Sequence, residues 1–379
     1  MILAAGEGRR MQPLTRTRAK PSLPVLGSPL VAHSARLLHA AGVREVAVNL
    51  FHQGGSVVEA LEREQLDPRE TDHLAQVRFR WSREESLLGT AGGIGRVRDW
   101  LAAGGTAIVA NSDFLSDMDL NPLVEFHRRA GAAATLVVVE PFGPFPGELW
   151  TGPGGRVVAI STSPGVPAPG VPAETGGDTF PQGPLEFTGV QVLEPEMLAR
   201  FPDRLSDSVR DVYVPALSEG RVFAWRHPGW WWEFGSLDRF LEGHLRLLAE
   251  GRCTERGTVE KRPSGVAWLA PGAELSPKAS IRGAVALGAG ARVAADSELE
   301  DCVISARAHV TPRCRLRRCI IGPDTVLTGG TLLEGVAAAS SPCAAPSGLA
   351  SSAETPGGRP APPEGCRVEG DLWVRSIPC

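Results

Sequence analysis

Gly6, Gly8, Arg9, Arg10 and Lys20 crowd into the first twenty residues of the chain. They follow an apolar run over residues 1–5, which predicts a short buried strand that starts at the first residue. Glycines after a strand let the backbone approach a ligand closely and aim N–H groups at it. Arg and Lys beside such a loop supply positive charge for phosphate oxygens. The chemistry served is the holding of a polyphosphate. Two common cradles are excluded by spacing, because Gly6-Glu-Gly8-Arg-Arg-Met11 is neither a P-loop nor a dinucleotide fingerprint. Lys20 is the only lysine in the first 260 residues, where every other basic side chain apart from histidine is arginine, and this marks it as an ammonium with a task.

Such groups need a scaffold of strand ends. Residues 45–50, 106–110 and 132–139 read as further strands, with helices around 30–41 and 122–130 between them. Alternation of this kind predicts an α/β fold: a Rossmann-like mixed, mostly parallel sheet with helices on both faces. Ligands of such sheets bind beyond the carboxyl ends of strands, and Gly6 and Asp113 both follow strands in this way. Residues 141–184 are rich in Pro and Gly and read as two short strands with long loops. Residues 239–250 read as the helix that closes a first domain, 1–250, ended by Gly251.

After a linker expected at 251–265 the periodicity changes. Leu269, Leu275, Ile281, Leu287, Val293 and Leu299 recur at every sixth position. Ala273, Ala279, Val285, Ala291, Ser297 and then Val303 follow four residues behind them, and after a one-residue slip the pattern resumes at Ile304, Val310 and Leu316. A second slip leads to Ile321. A six-residue period with one aliphatic and one small residue per repeat predicts a short parallel β-helix over 266–333. Residues 334–379 read as a low-complexity tail with one strand expected over 366–377.

At 42% hydrophobic and 22% charged residues, the composition is that of a soluble globular protein. A formal net charge of −4 gives no electrostatic case for nucleic acid or a membrane surface as partner. With no apolar run of membrane-spanning length and no leader-like segment, a cytoplasmic location is expected. The seven cysteines are odd in number and lack Cys-x-x-Cys spacing, so reduced thiols are expected rather than zinc sites or disulfides.

The opening segment Leu3-Ala-Ala-Gly6-Glu-Gly8-Arg-Arg10-Met-Gln-Pro13-Leu-Thr15, with Lys20-Pro21 behind it, resembles the signature of the sugar-1-phosphate nucleotidylyltransferases, the NDP-sugar pyrophosphorylases. Companion motifs follow in the family's order: Leu88-Gly89-Thr90-Ala91-Gly92, Asn111-Ser112-Asp113, Glu186-Phe-Thr188-Gly189 and Trp231-Trp-Glu233-Phe-Gly235-Ser236. Left-handed β-helix tails occur in several branches of that family, so the resemblance implies a left-handed coil for 266–333. The resemblance implies that Leu3, Ala4, Ala5, Gly6, Gly8, Arg10, Gly89 and Thr90 contact the nucleotide, small residues letting the base come close. It implies that Arg10, Lys20 and Asp113 are catalytic, that Asp113 and Glu233 bind Mg²⁺, and that Glu186, Thr188 and Gly189 line the sugar-phosphate pocket, with the loops of 141–184 as its wall. Three departures stand out. Ser112 replaces a common Gly, Glu233 replaces Asp, and the sugar-phosphate lysine is missing around 160–164, with Arg156 or Arg210 as substitutes.

By resemblance the expected partners are an NTP and a sugar 1-phosphate, GTP and mannose 1-phosphate first, with copies of the chain associating through the β-helix. Uridylyl transfer to glucose or N-acetylmuramic acid 1-phosphate is the alternative within the class, and a non-catalytic nucleotide-sugar-binding regulator is the alternative outside it. Acyl transfer on the β-helix is disfavoured, because His309 is the only histidine in the repeats.

Overall fold

The computed structural model describes residues 1–67, 74–141, 148–162, 181–252, 256–341 and 361–378. The expectations for the middle of 141–184 and of the tail lie outside them. The chain divides into two compact units, Met1–Gly6 with Val31–Trp232, and Glu7–Leu30 with Glu233–Cys379.

The first unit is built on a nine-stranded mixed sheet. Ile2–Leu3 lies in its middle, parallel to Glu45–Leu50 on one side and to Ala107–Asn111 on the other. Arg78–Arg83 extends the parallel run beyond Glu45–Leu50. The N-terminal strand is only two residues long, yet it is paired on both sides and Ile2 is fully buried. Ala134–Val139 is buried along its whole length and is apolar but for Thr135, whose hydroxyl lies 2.8 Å from His127 Nδ1. The sequence over 182–193 forms one long strand that pairs antiparallel with Ala107–Asn111, Ala134–Val139 and Leu149–Thr151. Helices Leu30–Ala40 and Leu120–Ala130 match the expected segments; Asp119 caps the second by accepting from the Asn121 N–H.

The second unit is dominated by a parallel β-helix. Ser264–Leu269, Ser280–Leu287, Glu298–Ile304, Ile320–Ile321 and Val336–Ser340 stack in parallel as one side of it. Ile281, Leu287, Val293, Leu299, Ile304 and Val310 point into its core. The slip is visible in the pairing: Ser280 lies opposite Glu298 but Val285 lies opposite Cys302, so a coil shortens from 18 residues to 17. The shortening falls before Cys302, and it is Cys302 rather than Val303 that joins the buried core. Asp296, Asp301, Arg307, Arg313, Arg318 and Asp324 turn the corners with φ between 48° and 64°.

Two stretches expected to be irregular are strands. Thr258–Arg262, inside the expected linker, pairs antiparallel with the first strand of the stack. Val336–Ser340, inside the expected tail, is its last parallel strand. Where a single terminal strand was expected there is a hairpin of Arg367–Glu369 and Leu372–Ser376, whose second strand covers Val336–Ser340. The first and last parallel strands of the stack are thus each paired with an antiparallel strand, and Thr258–Arg262 and Arg367–Glu369 form the outer strands of the sheet. Among the described cysteines, Cys302, Cys314, Cys319 and Cys366 are all free thiols. No helix among the described residues is long and apolar enough to cross a membrane.

Candidate active site

In the first unit, Leu3 to Gly6 leave the central strand and are fixed from beneath. The Ala4 N–H donates to Asn49 Oδ1 at 2.7 Å, and Asn49 Nδ2 donates to Glu84 Oε1 at 2.8 Å. The other oxygen of Glu84 accepts from the Leu88 N–H at 2.9 Å. A buried polar relay therefore joins the start of the signature to the segment that opens Gly89-Thr90. A Cβ added at Gly6 would meet nothing within 4 Å, so the backbone there is open to a ligand. Neither Asn49 nor Glu84 was among the expected site residues. The only signals in sequence are an Asn inside an apolar strand and a Glu directly after another strand.

Gly89–Gly95 is a short helix. Its glycines pack closely against a neighbouring backbone segment. A Cβ at Gly89, Gly92 or Gly95 would lie 2.5, 2.2 or 2.3 Å from the carbonyl oxygens of Ser206, Arg204 and Pro202, respectively. The Thr90 hydroxyl accepts from the Ser208 N–H, so it too holds this loop.

Asn111-Ser112-Asp113 follows its strand as expected. Ser112, in place of Gly, donates its hydroxyl to the Leu3 carbonyl at 2.6 Å and ties this turn to the signature strand. Gly189, with φ of 79°, lies against the Asn111 side chain; a Cβ there would be 2.2 Å from Asn111 Nδ2. Thr188 is buried and donates its hydroxyl to the Val137 carbonyl, so that group belongs to the sheet.

Around Glu186 the charge is negative. Burial pushes the Glu148 carboxyl up, and the nearby Glu186 and Asp207 carboxylates push it further. Such a patch suits sugar hydroxyls better than a phosphate. Arg210, one of two proposed stand-ins for the missing lysine, is held by Asp211 through two hydrogen bonds of 2.8 and 2.9 Å, which lower the Asp211 carboxyl to about 2. Arg156 lies against Gly220. Neither arginine is placed by these contacts as a replacement.

The tryptophan segment that leads to Glu233 is pinned by a residue the motif reading passed over. Asp117 Oδ1 accepts from the Trp230 N–H at 2.7 Å and lies 3.1 Å from His227 Nε2. Trp231 and Trp232 are buried as core.

The second unit holds Gly8, Arg10, Lys20 and Glu233. Gly8 has φ of 64°, and its carbonyl accepts from the Met11 N–H and the Thr15 hydroxyl. This left-handed turn starts the short helical turn Arg9–Met11, and Lys20–Ser22 forms another. A Cβ on Gly8 would press on Thr15 at 3.0 Å and on the Lys20 stem at 3.3 Å, so the three residues fit one another. The Arg10 side chain is 70% exposed, with Nη2 3.8 Å from Glu233 Oε1. Glu233 Oε2 is 3.3 Å from Arg239 Nη1. Glu233 is therefore an ion-paired carboxylate between two guanidinium groups, which does not fit the expected role of metal ligand. Among the described residues no group of three or more His, Cys, Asp or Glu is arranged to hold a metal ion.

The model of a protein family described as nucleotidyl transferase matches residues 1–250. A mannose-1-phosphate guanylyltransferase of Mycobacterium tuberculosis is 28% identical over 84% of this chain and 82% of its own length. A mannose-1-phosphate guanylyltransferase catalytic subunit beta of Danio rerio is 27% identical over 85% of each. Among solved structures, one described as a glucose-1-phosphate thymidylyltransferase from Bacillus anthracis superposes with a TM-score of 0.52 at 20% identity, over 68% of this chain and 96% of that one, which is a likeness of fold.

Proposed function

The chain belongs to the nucleotidyl transferase family, and on that premise we propose that it transfers a nucleotidyl group from an NTP to a sugar 1-phosphate, with GTP and mannose 1-phosphate as the pair. A phosphate oxygen of the sugar 1-phosphate attacks the α-phosphorus of the NTP. The bond from that phosphorus to the bridging oxygen breaks, pyrophosphate leaves, and a nucleoside diphosphate sugar forms. The nucleophile is already anionic, so no general base is required, and catalysis rests on positioning and charge neutralisation.

The observation that carries this reading is the Gly8-centred turn, which leaves Arg10 exposed while Glu233 and Arg239 order it from behind. Arg10 and Lys20 hold the triphosphate and stabilise the leaving pyrophosphate. The open backbone at Gly6 faces the nucleotide. Glu186, with Glu148 nearby, receives the sugar hydroxyls. Asp113 would hold a Mg²⁺ brought in with the triphosphate, a mode that asks for only one or two protein carboxylates, and the ion would neutralise phosphate charge there. The choice of GTP and mannose 1-phosphate is supported by the two relatives named above, which align over more than four fifths of this chain.

Pyrophosphate release measured with four NTPs against mannose, glucose and N-acetylmuramic acid 1-phosphates tests the proposal. The highest kcat/KM is expected for GTP with mannose 1-phosphate. No turnover with any pair would refute nucleotidyl transfer, and preference for UTP would refute the assigned pair.

A further inference from the structure

The hairpin at the end of the chain does more than cover a sheet edge. Covering Val336–Ser340 needs only the backbone of Leu372–Ser376. The side chains of the hairpin reach the other end of the sequence. Arg375 Nη1 donates to the Arg9 carbonyl at 2.7 Å, a contact that spans 366 positions. The guanidinium of Arg16 sits 3.8 Å from the ring centroid of Trp373, which is 1% exposed. Partial burial lowers the Arg16 pKa. Glu364 adds a carboxylate 4.0 Å from Arg9 Nη1.

These contacts fall on the segment from which Arg10 projects. The Arg9 carbonyl is one end of the peptide group whose N–H belongs to Arg10, and peptide groups are planar. Fixing that carbonyl therefore fixes the direction in which the Arg10 N–H points and the frame from which its side chain leaves. At the far end of the segment, Trp373 anchors Arg16.

We infer that the C-terminal hairpin is a positioning element for the phosphate-holding loop: Arg375 and Trp373 brace residues 9–16 so that Arg10 is presented to the triphosphate, and hairpin docking and NTP binding are coupled. The inference rests on the role proposed above for Arg10. Linkage makes the coupling reciprocal, so bound NTP steadies the hairpin as the hairpin steadies the loop.

The test uses the full chain and its Arg375→Gln and Trp373→Leu variants. Hydrogen exchange is followed in peptides covering 7–16 and 367–376, and GTP binding is measured by calorimetry without sugar phosphate. Arg375→Gln, which changes a half-buried surface side chain, is expected to leave the thermal midpoint nearly unchanged. It should speed exchange in 7–16 and weaken GTP binding about fivefold, the scale of one lost hydrogen bond. Saturating GTP should slow exchange in 367–376 of the wild type. Unchanged exchange at 7–16 in both variants overturns the inference, as does unchanged GTP affinity in a protein that binds GTP, for the hairpin would then only cover an edge. A wild type that binds no GTP refutes the functional reading instead, and the exchange data still decide whether the hairpin braces the loop.

Discussion

Glu233 folds back over Gly235 so closely that a Cβ on Gly235 would lie 1.6 Å from Glu233 Oε1. The extra methylene of Glu relative to Asp is accommodated by the missing side chain two residues on. The backbone at Gly235 is not in the left-handed region, so the need for glycine is steric and specific to this carboxylate. Gly235→Ala should push the carboxylate aside and leave Arg10 without its partner. We expect kcat/KM for the NTP to fall about tenfold or more, the scale of a lost charge-assisted contact in an active site. Steady-state kinetics at saturating sugar phosphate measure it; wild-type values would mean that Arg10 does not depend on Glu233.

The pairing of Glu233 with Arg10 and Arg239 separates two carboxylates that the family resemblance groups together. Glu233→Gln should raise KM for the NTP and leave the Mg²⁺ concentration for half-maximal rate unchanged. Asp113→Asn should lower kcat by about a hundredfold and raise the Mg²⁺ requirement, as loss of a cation-binding carboxylate does. Mg²⁺ titrations of both variants decide the matter. A raised requirement in Glu233→Gln would return Glu233 to the metal.

Asn49 is the hinge of the relay between Ala4 and Glu84. Asn49→Leu leaves a buried N–H and a buried carboxylate oxygen without their partner, which costs about 2–4 kcal/mol. The apparent melting midpoint should drop by about 5 °C or more, and NTP affinity should fall with it because the strand behind Gly6 loosens. A midpoint equal to the wild type's would show that the relay carries no stability.

His244, on the helix Leu237–Ala249, is fully enclosed beside Phe234 and Phe240, and burial lowers its pKa to about 4. In the unfolded chain it titrates near 6.5, so between these values the unfolded state binds the extra proton. The contribution is whole above pH 6.5 and is lost as pH falls towards 4, about 3 kcal/mol in all. Thermal melts between pH 7 and pH 4.5 should show a steeper decline for the wild type than for His244→Leu. Parallel declines would contradict the assignment.

How much of this was legible in the sequence follows from the distances involved. Gly6, Gly8, Arg10 and Lys20 are read from spacing because they sit on one continuous segment. The strand at 134–139 is read because it is buried on both faces and apolar but for Thr135, and the β-helix because its period repeats for several coils. The shortened coil was misplaced by one residue, since Cys302 and Val303 are equally apolar and only the pairing with Val285 separates them. What escaped depends on partners far along the chain. Asn49 meets Glu84 across 35 positions, and Asp117 meets Trp230 across 113. That Gly89, Gly92 and Gly95 are packed against the carbonyls of Ser206, Arg204 and Pro202 depends on residues more than a hundred positions away. The terminal hairpin was reduced to one strand because its short, polar Arg367–Glu369 arm carries no apolar pattern.

Phosphorus NMR of the purified protein mixed with GTP, mannose 1-phosphate and Mg²⁺ tests the central claim most directly. The account predicts that the α- and β-phosphate signals of GTP and the monoester signal of mannose 1-phosphate decline together. The diphosphate of GDP-mannose and free pyrophosphate should appear in equal amounts, and Arg10→Met or Lys20→Met should slow all four changes alike. Signals that stay unchanged, or GTP that decays to GDP and orthophosphate with mannose 1-phosphate untouched, would contradict it.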